Sequence, residues 1–358
     1  MRIKKALFLG TLCTAVSGMS LFAQAGVSYA KSAEKTTEAA SSEEAESEEE
    51  TSEEVTYPIT IEHVFGETVI ESKPERIATV GWGNQDTPLA LGIAPVGVSA
   101  ANYGLVTDHK LHLWTDEAFA DLGVEEPVVF DDVDGLDFEQ ISDCNPDVIL
   151  AAYSGMTQED YDTLSQIAPV IPYKENPWQT SWREQTIENA EGMGMKPEGE
   201  KKVKEVEDLI AEKLEEYPEL EGIPTAFCWI SADDFSTFYV YLPTDPRAAY
   251  LLDLGFTLPE SVQKLAGESN DFSITVSREN ADQLDDIEMM VVYGDENLVE
   301  TLQEDKLMSQ IPAIKNGAVV VLDSTSALAA SSTPSILSIP YEIDEYLEMF
   351  AKAAENIK

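Results

Sequence analysis

The chain has 358 residues, with 68 Asp and Glu against 22 Lys and Arg, three His, and a formal net charge of -46 at pH 7. That balance excludes nucleic acid and anionic membrane as partners, because both would repel the protein, and leaves a neutral or cationic ligand or a basic protein surface as the easier match. With its ends set aside the chain is still about 300 residues long, too long for one core and suited to two lobes.

Residues 1–30 read as an export signal. Arg2, Lys4 and Lys5 precede an apolar run from Ala6 to Val16, and Ala23-Gln-Ala25 offers a small-residue cleavage site, with Ser28-Tyr-Ala30 a second. The run is too short to span a bilayer. An extracytoplasmic location is expected, in a periplasm or on the outer face of the cell membrane. Cys13 follows the large Leu12, which fits a lipoprotein cleavage box poorly. Residues 31–56 are almost entirely Ser, Glu, Thr and Ala, too poor in apolar surface to offset the entropy of ordering, and predict a disordered acidic spacer.

Residues 57–178 predict an N-terminal α/β lobe. Alternation over Tyr57–Val64 and Thr68–Glu71 predicts a hairpin turned at Phe65–Glu67. Ile77–Val80 is a short buried strand, Pro88–Leu91 opens a helix that stops at Gly92, and Pro95–Val98 is the next strand. Residues 179–221 predict a helical linker, with one helix over Ser181–Met193 and a second over Gly199–Tyr217. The second carries Val203, Val206, Ile210, Leu214 and Tyr217 on one face, and at roughly 27 Å it makes a strut about as tall as a lobe. Residues 222–358 predict a C-terminal α/β lobe with strands at Thr225–Ile230 and Phe238–Leu242, a helix over Pro246–Leu254, and an amphipathic closing helix over Tyr341–Ile357. Cys144 and Cys228 fall at a helix-to-strand junction of one lobe and inside a strand of the other, so no bridge between them is expected.

An internal repeat supports the two lobes. Leu136–Ile141, Pro146–Ala152, Tyr153-Ser-Gly155 and Ile167–Pro172 are followed in outline by Ile274–Asn280, Met289–Gly294, Asn297–Leu302, Ile311–Ile314 and Ala318–Leu322. Each copy reads as helix, buried strand, cleft loop, helix and strand, the order of a parallel sheet covered by helices. Two such lobes facing one another make a cleft, where small ligands bind.

The segments Thr79–Asp86, Ala151–Thr157, Asn176–Trp182, Asp245-Pro-Arg247 and Ser335–Pro340 resemble, in order, the iron–siderophore substrate-binding proteins of ABC importers, and the likeness runs from Tyr57 to the C-terminus. The resemblance implies two Rossmann-like lobes joined by a long rigid α-helix, the class III periplasmic binding protein arrangement, with small lobe movement on binding. It implies a ferric siderophore as ligand, an ABC permease as partner, no catalysis and a monomer. Relatives on this scaffold bind cobalamin or haem, which stand as alternatives. No cofactor and no protein metal ligand are expected, since ferric iron enters inside the siderophore.

Ligands of open α/β sheets sit beyond the carboxyl ends of the strands. That rule selects Trp82, Gln85, Tyr153, Ser154 and Trp229. By resemblance, Trp82 matches a cleft aromatic, and its other reading is packing beneath its loop; Trp114 matches a second, with the same alternative. Tyr153 or Ser154 stands near a hydroxamate-contacting tyrosine. Relatives that bind hydroxamates place an arginine near the segment that here reads Asp131–Asp134, so a highly anionic catecholate or citrate is disfavoured and a hydroxamate is expected. Arg247, after Tyr241, is the remaining cleft cation, unless it serves as a loop-positioning ion pair. Phe272 and Ser273 correspond to an aromatic cleft segment, and Trp178 is expected to face the cleft while Trp182 lies in the core. Glu159 and Glu296, at matching places in the repeat, are candidates for permease docking.

An exported enzyme is the rival class, but no nucleophile elbow or phosphate loop is present, and Gly81-Trp-Gly83 has Asp86 where a dinucleotide fingerprint needs its third Gly. His109 and His112 could join a zinc site only with further ligands, and otherwise lie in a solvated loop.

Overall fold

The computed structural model describes residues 55–132, 135–295 and 297–358. The expected export signal and most of the expected spacer therefore lie outside the described residues, as does Glu296.

A hairpin of β1 (Ile59–His63) and β2 (Gly66–Ile70) opens the N-terminal lobe, followed by β3 (Ile77–Thr79), α1 (Asp86–Ala90), β4 (Gly97–Ser99) and α2 (Leu113–Asp121). The lobe is completed by β5 (Val129–Phe130), α3 (Phe138–Asp143), β6 (Val148–Ala151), α4 (Gln158–Leu164) and β7 (Val170–Pro172). Its main sheet has the order β5-β4-β3-β6-β7, with every pair parallel. All residues of β3 and β6 are buried, as expected for parallel strands covered on both faces.

Two helices, α5 (Trp182–Gly192) and α6 (Lys196–Leu214), then lead to the C-terminal lobe. That lobe contains β8 (Thr225–Trp229), β9 (Thr237–Tyr241), α7 (Pro246–Asp253), α8 (Glu260–Ala266), β10 (Ser273–Ser277) and β11 (Met289–Tyr293). It ends with α9 (Leu298–Glu304), α10 (Pro312–Asn316), β12 (Val319–Leu322), α11 (Ala327–Ser331) and α12 (Ser338–Ala354). Its sheet has the matching order β10-β9-β8-β11-β12.

The second sheet departs from the first at one edge. Strand β9 runs antiparallel to β8, because the short loop between them leaves no room for a crossover helix, and β10 runs antiparallel to β9. Ile274–Asn280, expected as a helix by analogy with Leu136–Ile141, is instead β10 followed by a 3-10 turn at Arg278–Gln283. The β-branched Ile274, Thr275 and Val276 favour the extended form, and β9 offers them a free edge, with Ile274 opposite Val240 and Val276 opposite Phe238.

Helix α5 starts with a capping box in which Ser181 and Glu184 satisfy each other's backbone N–H groups. The strut α6 begins nearer α5 than its sequence pattern predicts, because Pro197 is tolerated in a first turn, and it stops at Leu214, leaving Tyr217 beyond its end. Val203, Val206 and Ile210 sink into the same core as Phe256, Tyr346 and Phe350, so the strut is fastened to the C-terminal lobe along its length. Toward the other lobe, a Cβ on Gly192 would stand 2.5 Å from Ile171, and one on Gly199 would stand 2.5 Å from Ala190, so both helix contacts need glycine.

Further contacts tie the C-terminal lobe to the N-terminal lobe and to the linker. Leu105 donates its N–H to the Ser326 carbonyl at 3.1 Å, and Gly104, at φ +75°, lies where a Cβ would be 2.6 Å from that of Ala330. Gln179 Nε2 donates to the Asn270 carbonyl at 3.1 Å. The Trp182 indole and Arg183 both donate to Asp253, at 3.0 and 2.8 Å, and Trp182 is buried as expected. Among the described residues no helix is long and apolar enough to cross a membrane, and Cys144 and Cys228 are free thiols.

Candidate functional site

The loop after β3 carries the first candidate side chain. Gly81 takes φ +82° where a Cβ would be 2.7 Å from the Tyr153 carbonyl, so only glycine lets the loop turn against its neighbour. Asn84, fully buried, then fixes the loop. Its amide donates to the carbonyls of Val80 and Tyr153 at 2.8 and 3.0 Å, and its oxygen accepts from Tyr153 N, Gln185 Nε2 and Asn189 Nδ2 at 3.1, 3.2 and 3.0 Å. Gln185 also donates to the Trp82 carbonyl at 2.8 Å. The loop that presents Trp82 is thereby tied both to the loop after β6 and to linker helix α5.

Trp82 itself projects outward, 37 % exposed, and meets Trp178 with ring centroids 5.5 Å apart at 58°. Tyr153 packs edge-on to Trp178 at 5.3 Å. Trp178 is also 37 % exposed and adopts φ +62°, a left-handed conformation that costs an ordinary residue about 1–2 kcal/mol. Its indole lies against Gly155, where a Cβ would come within 2.4 Å of Nε1, and the Trp178 backbone N–H donates to the Ser154 carbonyl at 3.1 Å. A strained tryptophan held with its face half open is the type of feature that gathers at ligand sites. Ser154 is buried, and its hydroxyl is spent on the Ala151 carbonyl at 2.8 Å, so Tyr153 and Trp178 form the wall there.

On the opposite lobe, Arg247 sits at the start of α7. Its Nε and Nη2 donate to Asp245 at 2.8 and 2.6 Å, and its guanidinium lies 3.9 Å from the centre of the Tyr241 ring. Burial alone would lower its pKa, but the hydrogen bonds and charge of Asp245 outweigh that and keep it a cation. The ion-pair reading of Arg247 is therefore realised, and the cation also faces aromatic rings. Burial, partly offset by the Arg247 charge, pushes the phenols of Tyr153 and Tyr293 upward and that of Tyr241 to about 12, and Tyr103 is raised by burial and by Tyr293 against the same charge. Tyrosines of both lobes are thus grouped around one guanidinium. Phe272, 47 % exposed, stacks on Tyr241 at 6.5 Å and 26°, and Ser273 pairs with Tyr241 across β9 and β10. Trp229 and Tyr239 stand exposed on the same sheet, 5.7 Å apart.

Two candidates lie deeper than expected. Trp114 is 5 % exposed, with its indole N–H donated to Asp86 at 2.9 Å, and Gln85 is buried at the start of α1; both line a cavity that continues beneath Trp82 to Thr333, Pro334 and Ser335 of the C-terminal lobe. Glu159 is exposed in the first turn of α4.

The expectation of a solvated His109–His112 loop is corrected. His112 precedes α2, stacks on Trp114 at 4.7 Å and 21°, and is pushed down to about 4 by burial, so its imidazole is neutral. His109 instead pairs with Asp116 at 2.7 Å. Among the described residues no group of three or more His, Cys, Asp and Glu side chains converges.

Sequence reasoning missed Asn102 and Tyr103, which line the cavity. The rule applied to β3 and β6 would have selected them had it been applied at the end of β4. It also missed Tyr293, at the end of β11, whose ring meets Tyr103 edge-on at 5.5 Å across the lobes.

The sequence profile of the periplasmic binding protein family matches residues 77–325. Among solved structures, the chain is 47 % identical to PiaA of Streptococcus pneumoniae TIGR4 in complex with ferrichrome, over 84 % of this chain and 100 % of that one, with a TM-score of 0.80. It is 25 % identical over 306 residues to the petrobactin-binding protein YclQ of Bacillus subtilis strain 168, covering 81 % of this chain and 88 % of the relative. SirA of Staphylococcus aureus complexed with staphyloferrin B shares the fold, at 22 % identity over 84 % of this chain and 99 % of that one, with a TM-score of 0.63. Two sheets of matching strand order, a fastened helical strut and an aromatic cleft are what that family's profile covers here, and the chain belongs to the periplasmic binding protein family.

Proposed function

We propose that this protein is an extracytoplasmic receptor that captures a ferric siderophore of the hydroxamate type and delivers it to an ABC permease, performing no chemistry on it. The observation that carries the reading is the cleft itself: Trp82, Trp178 and Tyr153 on one side, Tyr241 and Phe272 on the other, with Arg247 held among tyrosines. A ferric siderophore fills its metal's coordination sphere with its own oxygens. Its receptor needs aromatic walls, hydroxyls and a cation for the partly negative oxygen shell, and needs no metal ligand of its own. The likeness to PiaA, solved with ferrichrome, supports the same ligand class. Residues 1–30 would direct export, residues 31–56 would hold the lobes away from the membrane, and Glu159 with Glu296 would meet basic side chains of the permease, steered by the overall negative charge.

Calorimetric titration with ferrichrome, iron-free desferriferrichrome, a ferric catecholate, haem and cobalamin tests this reading. Submicromolar binding of ferrichrome, with much weaker binding of its iron-free form, is expected. Binding of haem or cobalamin alone would keep the fold and overturn the ligand.

A further inference from the structure

A cavity of about 390 Å³ shares Gly81, Trp82, Ser99, Ala100 and Asn102 with the main cleft. Trp82, Trp178 and Asp132 line it. The Ser99 hydroxyl donates to Asp132 and accepts the Gly81 N–H at 3.1 Å, so the carboxylate is built into the loop that carries Trp82. Burial raises the pKa of Asp132, the Ser99 hydrogen bond opposes the rise, and among the described residues the charge acting on it is that of Asp131, of the same sign. Among the described residues no Lys or Arg pairs with Asp132, and Lys110 is engaged with Asp131 at 3.0 Å. The other carboxylate of the cavity, Asp160, is held by the N–H and hydroxyl of Thr157 at 2.9 and 2.7 Å, and adds negative potential. A half-buried carboxylate with no described cation partner, lining one cavity with two tryptophans, has the composition of an organic-cation site. Tryptophan is the strongest ring partner for an ammonium, and a desolvated carboxylate gains most from one.

We propose that this cavity is a second subsite that receives a primary ammonium group carried by the siderophore, making the receptor selective for cationic ferric hydroxamates over neutral ones of the same size. The proposal rests on the siderophore reading above. It accounts for acid at Asp132 on the N-terminal lobe while the half-buried Arg247 guanidinium stands on the C-terminal lobe. The iron–hydroxamate core faces Arg247 and the tyrosines, and the ligand's pendant chain runs past Trp82 to Asp132.

The test compares ferrioxamine B, a linear ferric trihydroxamate ending in an ammonium, with its N-acetylated derivative, using the wild type and Asp132→Asn. Asparagine keeps the shape and can still accept from Ser99, so only the charge is removed. At 0.15 M salt, where exposed charges are screened within about 8 Å, the protein's general negative charge contributes little to the difference. The wild type is expected to bind the ammonium form about tenfold more tightly, and D132N less than about twofold more tightly, in keeping with one charge-assisted contact. Equal affinity of the wild type for both forms, or a preference that D132N retains, would overturn the subsite while leaving hydroxamate binding in place. Failure of both forms and of ferrichrome to bind would overturn the subsite together with the reading it rests on.

Discussion

Asp86, in the first helix of the N-terminal lobe, and Ser335, just ahead of the last helix of the C-terminal lobe, share a buried hydrogen bond across 249 residues of sequence. The carboxylate also accepts from the Trp114 indole and the Thr115 hydroxyl, each at 2.9 Å, so the floor of the cleft is closed by one polar cluster fed from both lobes. Together with the fastened strut, this contact resists wide hinge opening.

Ser335→Ala removes the inter-lobe donor and leaves Asp86 with its two partners in its own lobe. Stability is expected to fall by about 1–2 kcal/mol, read from the denaturant midpoint. Small-angle scattering of the wild type is expected to change little on ligand addition; a large compaction would contradict the closed floor.

The same cluster sets a pH dependence. Burial, opposed by the hydrogen bonds from Ser335, Thr115 and Trp114, pushes the Asp86 carboxyl up to about 6 from 3.8. The folded state therefore holds its proton where the unfolded state has lost it. The Asp86 contribution is fully present below the unfolded pKa and is lost as pH rises through about 6, a change of roughly 3 kcal/mol. Asp86→Asn can keep the hydrogen bonds without the charge. The stability difference between variant and wild type is expected to move in the variant's favour between pH 4 and 7, and a flat difference would refute the assignment. Taking the difference cancels the opposite contribution of His112, whose pKa is pushed down to about 4 and whose stabilisation is lost as pH falls through that value.

Gly155→Ala places a methyl within 2.4 Å of the Trp178 indole. The ring has to move, and affinity for ferrichrome is expected to drop about tenfold or more, as one to two kcal/mol of aromatic contact is lost. Trp178→Gly should lose affinity similarly while relieving the left-handed strain, so its melting temperature is expected to fall less than that of a buried aromatic truncation.

Arg247 serves two purposes that substitution can separate. Arg247→Ala leaves the 2 %-exposed Asp245 without a counter-ion and is expected to cost about 3–5 kcal/mol of stability. Arg247→Lys keeps a charge but loses the planar fork and the stacking on Tyr241, so ligand affinity should fall with a smaller loss of stability.

Glu159→Ala and Glu296→Ala are expected to leave ligand affinity unchanged in vitro and to reduce siderophore-dependent iron uptake in cells, measured with radiolabelled iron. Unchanged uptake by the double variant would remove both residues from the docking surface.

The buried parallel strands and the linker helices were legible because their signals are local. β6 and β11 are unbroken apolar runs between turn residues, and Ser181 with Glu184 announces α5 from sequence alone. The helix expected over Ile274–Asn280 failed because the repeat was allowed to override β-branched residues whose neighbour, β9, has no counterpart of the same direction in the first lobe. Trp82, Trp178 and Arg247 could be selected because large or charged residues at strand ends and helix starts stand out. The roles of Asn84 and Gln185 could not, since each depends on partners 69 or more residues away; Tyr103 was within reach of the strand-end rule, but its contact with Tyr293 on the other lobe was not. His112 misled for the same reason: its polar neighbours in sequence are not its neighbours in space.

The most direct test is tryptophan-fluorescence titration of the protein with ferrichrome, alongside the variants Trp82→Phe and Trp178→Phe. The account predicts saturable, submicromolar quenching in the wild type, since ferric hydroxamates absorb and the exposed indoles of Trp82 and Trp178 lie in the cleft, with much smaller amplitude in the double variant. Absence of quenching and of binding by any ferric hydroxamate, or quenching of the same size in the double variant, would contradict it.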